Sequence, residues 1–440
     1  MGGQFRALSA GLALSVAILT TPIHAQTNVC GLFGSPPTIE PKIHPDVAYS
    51  QNSQGFSCQM WQAFIYLTWP AHPDRRGDPD PTATFGSLKP TVWETFKTAE
   101  QVFLPRGDDP GAWLNAPVNP ALDPSVAPLV ADGRVRHLTI SSKISSDVLA
   151  NILRQKPLDS KILEAINRIG RSILHDLNGN PVFHEVSVNE DLYKYIQQNG
   201  LYNARKQAEY ANTSLITLPM GATDFGRTGA VSVKAAWKIL SPAEEQSGRF
   251  HTAQALVQGK LPLRTVGLVG MHVFQPMFNL RQGAWATFAH VDNAPIRGEP
   301  LRGPYSFYDV RCTGCMINDP TSNPTQVMQF FPDDPAAKTV TRYMQDEIRR
   351  KNPQAPWQYY KLVAVHWPRA PRDVTQANTP LPTGEPTPVP ALNAVLETFD
   401  QAAQNSCLTC HSNAAIVPLN DSTPPAASYY SFVFGRAKSP

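Results

Sequence analysis

From Ala230 onward the chain alternates. Val231, Val233, Ala235, Trp237 and Ile239 are separated by polar or small residues, and this period of two predicts a strand. Phe250–Gln258, Arg264–Gln275 and Ala284–Asp292 continue the pattern, with a turn signal at Gly259-Lys260-Leu261-Pro262. Antiparallel strands joined as a meander are expected. Upstream the period is helical. Cys58–Trp69 is an apolar, aromatic run that reads as a buried helix, closed by Trp69-Pro70-Ala71. The segment from His72 to Pro90 is turn-rich, and Val92–Phe103 reads as a second short helix. Ile144–Gln155 and Asp159–Asp176 follow as helices, the latter with Ile162, Ile166, Ile169 and Ile173 on one stripe. Asn189–Gln198 is another short helix, with a further one running to Tyr210. Helix returns at Ala336–Arg350 and at Ala391–Gln404. The expected class is α+β, a central antiparallel sheet with helices around it.

Composition changes this picture in three places. With 42 prolines in 440 residues, each lacking an amide donor, long uninterrupted helices must be few and ordered proline-rich connections many. The stretches Thr379–Pro390 and Asp421–Ala427 are two of these. The net charge of +3 comes from acids and bases mixed along the chain without a basic stripe, which gives nucleic-acid binding no support. The start, Met1 to Ala25, has Arg6, an apolar run Ala7–Leu19 and a small residue before Gln26, the pattern of a secretory leader. The run is short of the ~20 residues a membrane span needs. The expected organisation is a leader over 1–25 and one large domain over 26–440. Within that domain 26–225 is mainly helix and loop, 226–300 the sheet and 301–440 helical. Export implies a periplasmic protein with no membrane span in its mature chain.

The chemistry concentrates at Cys407-Leu408-Thr409-Cys410-His411. Two cysteines three apart followed at once by histidine are what covalent haem c attachment requires. Each thiol forms a thioether with one porphyrin vinyl group, and the adjacent imidazole reaches the iron. Attachment takes place outside the cytoplasm, in agreement with the leader. One haem c is therefore expected, held by Cys407 and Cys410 with His411 as proximal iron ligand, in a C-terminal helix-loop segment. Only 29 residues follow His411, with no Met or His among them, so a sixth protein ligand must come from upstream. His272 is the first candidate, as distal ligand or distal pocket residue, with a hydrogen-bonded core histidine and an open sixth site as the alternatives. It lies on the strand Arg264–Gln275, where Val266, Leu268, Gly270, His272 and Phe274 should share a face and Gly270 would admit a flat ligand. His290, His366, Met271, Met277 and Met316 are alternatives, and His137, His175, His184 and His251 read as surface or satisfied side chains.

Four cysteines remain. In an oxidising compartment Cys30–Cys58 is favoured as a disulfide that ties down the mature N-terminus, leaving Cys312–Cys315. The latter pair, followed by Met316 where haem attachment wants His, reads as a short-loop disulfide, a redox dithiol or a degenerate second haem site.

Several stretches together resemble a family of exported proteobacterial c-type cytochromes. They are Trp61-Gln62-Ala63-Phe64 through Trp69-Pro70-Ala71, Val92-Trp93-Glu94-Thr95-Phe96-Lys97, Gly270-Met271-His272-Val273 and Trp285 through Asn293. Leu396-Glu397-Thr398-Phe399-Asp400-Gln401, Ser406 through His411 and Tyr430-Ser431-Phe432-Val433-Phe434 complete the set. The resemblance spans most of the mature chain and departs at Met271, where leucine is expected. It implies a single haem c on Cys407, Cys410 and His411, and leaves the reaction unspecified. Two functions lead the expectations, electron transfer to a periplasmic redox partner or a haem-dependent oxidoreductase of peroxidase or oxygenase type, ahead of a structural or interaction protein in which haem is a folding element. The second would act on a small or lipid-like substrate, and the length beyond a typical domain can build its pocket.

Overall fold

The structure is a computed structural model. It describes residues 1–2, 28–30, 35–43, 52–115, 119, 121–144, 146–153, 172–221, 228–277, 280–368, 390–402, 406–417 and 428–439. The expected leader beyond Gly2, the stripe residues Ile162, Ile166 and Ile169, and both proline-dense stretches except Pro390 lie outside the described residues.

The class is mixed α+β, built on a curled, mostly antiparallel sheet. Its strands are β1 (Lys97–Thr98), β2 (Val135–Leu138), β3 (Phe183–Val188), β4 (Ser232–Ile239), β5 (Thr252–Val257), β6 (Lys260–Met277), β7 (Leu280–His290) and β8 (Tyr360–His366). The sheet is organised on β6. Its first half pairs with β5 and its second half with β7 along one edge, while β4 runs along the other. β3 and β1 extend the sheet beyond β4, β8 extends it beyond β7, and β2 adds to β5 as a parallel pair. The meander is thus present, but it recruits strands from both flanks of 226–300.

One sheet face carries an aromatic core. Helix α1 (Ser53–Leu67) begins at Asn52, whose side chain accepts from the Gly55 amide, and is buried along nearly its whole length. Phe64 stacks on Phe288 of β7 at 4.3 Å, and Trp61 meets the same ring edge-on at 5.2 Å. The helix Pro335–Lys351 packs against α1 and β8, and Thr341 accepts the indole N–H of Trp61 at 3.2 Å. The disulfide Cys30–Cys58 pins the chain ahead of α1 to it, as the cysteine count suggested.

The opposite face is set by a bulge. Ala236 pairs with Gly270 but Trp237 pairs with Leu268, so Val269 is an extra residue on β6. Simple alternation would keep Val266 and Leu268 in phase with His272, and this expectation fails. Val266 and Leu268 join the aromatic core, whereas beyond the bulge Gly270 packs against Val395 and Leu396, and His272 lines a cavity together with Phe274. Gly270 does not make room for a flat ligand either. A Cβ there would meet Val395 and Leu396 at 3.0–3.2 Å, so the glycine admits the crossing segment 390–402 instead.

Three further expectations are corrected. Val92–Phe103 divides into a 3-10 turn, strand β1 and a single helical turn, Ala99–Val102. Residues 172–176, the end of the Asp159–Asp176 helix, form isolated bridges. Ala391–Gln404 is not a helix over its described residues but a series of turns. Asn393 anchors it by donating to Thr287 Oγ1 at 2.9 Å and to the Phe288 carbonyl at 2.8 Å. Side-chain bonds to the sheet replace the helical ladder there. Ser146–Leu153 (α2), Glu190–Gln198 and Ala204–Thr213 form helices as expected. Among the described residues no helix is long and apolar enough to cross a membrane.

Candidate functional site

A cavity open to solvent lies on the bulged side of the sheet. The register fixes its floor. Val186, Lys234 and His272 sit side by side across β3, β4 and β6, and Ser232, Phe274 and Trp285 form the next row across β4, β6 and β7. Lys143, Ile144 and Val148 wall one side, and Leu392, Glu397 and Asp400 of the crossing segment another. The roof is Ser406, Cys407, Cys410 and His411 together with Tyr430–Val433 and Arg436.

Cys407–His411 forms one helical turn, α3, and each of its ends is held. Ser406 Oγ caps the start by accepting the Thr409 amide at 3.1 Å. The Cys407 amide donates to His366 Nδ1 at 3.1 Å, and His366 Nε2 donates to the Ala391 carbonyl at 3.2 Å. Both ring nitrogens of this fully buried histidine are thereby used, and burial lowers its pKa so that it stays neutral. His366 is thus a positioning residue for α3, not a ligand candidate.

His411 lies between Trp285 (4.2 Å between ring centroids) and Phe432 (4.8 Å). Its Nδ1 donates to the Tyr430 carbonyl at 2.7 Å. Burial pushes its pKa down to about 3, so the ring is neutral and Nε2 keeps its lone pair. The carbonyl it uses belongs to a strained turn, since Tyr429 and Tyr430 have φ of 49° and 65°. Two successive non-glycine residues in the left-handed region cost ~1–3 kcal/mol each and persist where the surroundings over-determine them. Cys407 and Cys410 are free thiols that line the same cavity. Burial raises both pKa values, that of Cys410 to about 11.

The other wall is ionic. Glu397 accepts from Lys143 Nζ and from the Asn393 amide at 3.0 Å, and its Oε1 lies 3.3 Å from His272 Nε2. Burial opposes its ionisation, but Lys143 and His272 outweigh that and hold the carboxyl below its ordinary value. His272 is lowered by burial, with Glu397 acting against the shift. Lys234 donates to the Lys143 carbonyl.

Of the candidate residues, the fold therefore brings Cys407, Cys410, His411 and His272 to one cavity. The rest lie elsewhere. His290 stacks on Phe250 at 4.0 Å, its Nε2 lies 3.1 Å from the Arg249 carbonyl and its Nδ1 accepts the Asp292 amide. Met271 and Met277 are buried in the core, and Met316 is 63% exposed on the surface. Asp292 and Asn293 are structural: Asp292 pairs with Arg249 at 2.6–2.7 Å and Asn293 donates to the Val269 carbonyl. Cys312 and Cys315 are joined as a disulfide away from the cavity lining, which corrects the degenerate second haem site. Sequence reasoning missed Lys143, Lys234, Glu397 and the Tyr430 carbonyl. An acid inside the apolar run around Leu396 was the one local signal for any of them.

Among the described residues no three His, Cys, Asp or Glu side chains converge as a ligand set for a bare metal ion. No family model, curated protein or solved structure matches this chain.

Proposed function

We propose that this cavity holds one covalently attached haem c and that the protein is an exported, periplasmic c-type cytochrome. Cys407 and Cys410 would carry the thioethers and His411 Nε2 would face the iron. The observation that carries this reading is the joint geometry of α3. Two free thiols and a neutral imidazole sit on one turn, line one cavity, and the imidazole Nδ1 is already bonded to a backbone carbonyl. A histidine that ligates a metal through one nitrogen commonly donates the other N–H in this way, which fixes tautomer and ring plane. When bound, haem c supplies a one-electron Fe(III)/Fe(II) couple. The chain's own part is to orient His411 through Tyr430 and Trp285, to hold α3 through Ser406 and His366, and to cover the site with apolar side chains. A periplasmic redox partner follows from that chemistry.

A second reading, a haem-dependent oxidoreductase for a small or lipid-like substrate, is favoured by one observation. His272 Nε2, the nitrogen with the longer reach, faces Glu397 at 3.3 Å. This suits a distal hydrogen-bonding group better than a sixth ligand. Absorption spectra of the oxidised and reduced protein, with and without carbon monoxide, separate the two. A low-spin spectrum unmoved by carbon monoxide supports the carrier, and a ferrous form that binds carbon monoxide supports the oxidoreductase. A protein lacking any haem spectrum after expression with the attachment machinery refutes both.

A further inference from the structure

Among the described residues three cations line the cavity, and two of them are matched. Lys143 pairs with Glu397, and Arg436 pairs with Glu100 at 2.8 Å. Lys234 differs. It is partly buried on β4 beside His272, and its ammonium donates to a backbone carbonyl, that of Lys143. Among the described residues no carboxylate lies within 4 Å of it, and the nearby Glu397 already serves Lys143 and the Asn393 amide. An ammonium has three donors, and burying it without a counter-charge is costly. Burial and the Lys143 charge both push its pKa well below the ordinary lysine value. Its partners across the strands are Val186 on β3 and His272 on β6, and Phe274 lies in the next row of the floor.

We propose that Lys234 is the centre of a carboxylate-binding subsite in this cavity, whose ligand completes its ion pair. This rests on the haem reading above for its first source, a porphyrin propionate. The second source with the same chemistry is the carboxylate of a free substrate. Either would bring an anion to a site where, among the described residues, a backbone oxygen is what accepts from Lys234, and Lys143 would reinforce it from the adjacent wall.

The test uses the full-length, haem-loaded protein with Lys234→Met, which keeps the apolar stem, and Lys234→Arg, which keeps the charge. If a propionate is the ligand, haem stain on a denaturing gel is unchanged and the Lys234→Met midpoint potential falls. Removing a cation beside the haem favours the ferric state. A tenfold change in the one-electron equilibrium is ~59 mV, and Lys234→Arg restores most of it. If a free carboxylate is the ligand, midpoints agree without additive. Sodium butyrate then perturbs the parent spectrum saturably, with at least tenfold weaker binding in Lys234→Met. Equal midpoints together with no response to butyrate in any form overturn the subsite. A parent protein without covalent haem refutes the haem reading alone. The subsite is then judged by butyrate calorimetry on parent and Lys234→Met, where less than a tenfold difference overturns it.

Discussion

Replacing Glu397 by Gln tests the ionic wall of the cavity. The carboxylate is nearly buried, with 11% of its side chain exposed against 19% for Lys143. It serves Lys143, the Asn393 amide and the His272 edge at once. Removing one partner of a buried pair costs about 3–5 kcal/mol because the other charge stays behind. Gln keeps the shape and one acceptor for the Asn393 amide, and Lys143 retains some contact with water, so the expected loss is about 2–3 kcal/mol. Urea unfolding at pH 7, with the midpoint shift multiplied by the common slope, measures it. The carboxyl is held below its ordinary value in the folded protein. Its contribution is therefore fully present above the unfolded value of ~4.3 and is lost as pH falls through the folded one. The gap between parent and variant should be flat from neutrality down to about pH 5 and close in stronger acid. Adding Lys143→Met to Glu397→Gln should recover part of the loss, because the unpaired cation is then gone. A gap under about 0.5 kcal/mol at pH 7, or one that widens in acid, would refute the reasoning.

Two other substitutions probe the site from opposite sides. His366→Phe leaves the Cys407 amide and the Ala391 carbonyl without their partner, and unsatisfied buried groups cost ~1–3 kcal/mol each. The expected loss is about 2–4 kcal/mol by urea unfolding, with faster amide exchange through α3, and unchanged exchange there would remove His366 from its positioning role. His272→Ala should alter the haem spectrum or its response to carbon monoxide while leaving haem stain on a denaturing gel intact. Identical spectra would make His272 a buried residue without a part in the site.

Much of the frame was legible because local and tertiary signals agree. The strands from 230 to 292 alternate because one face of each meets the aromatic core, and α1 announces itself by an aromatic run buried on all sides. Cys30–Cys58 was the favoured one of the three pairings that four cysteines allow, and it is present. The failures are physical as well. β8 is buried on both faces, so Leu362-Val363-Ala364-Val365 carries no alternation. β2 spans four residues and pairs in parallel with a strand more than a hundred residues away, beyond the reach of any periodicity. One extra residue at Val269 reversed the phase of β6 and with it the face on which His272 lies. Ala391–Gln404 has helical spacing, yet Asn393 and Glu397 spend their hydrogen bonds on the sheet and on local amides. The α3 motif was readable as a pattern. Its surroundings were not, because Lys143, Lys234, Glu397 and Tyr430 converge from four separated segments.

The most direct measurement is haem stain on a denaturing gel, beside the absorption spectrum in alkaline pyridine. Both should be taken on the protein exported together with haem-attachment machinery, and on Cys407→Ala with Cys410→Ala. The expected result is a stained band at the protein's mass, with one haem per chain, that disappears in the double variant. An unstained parent band, or stain that persists when both thiols are gone, would contradict a haem c held at α3.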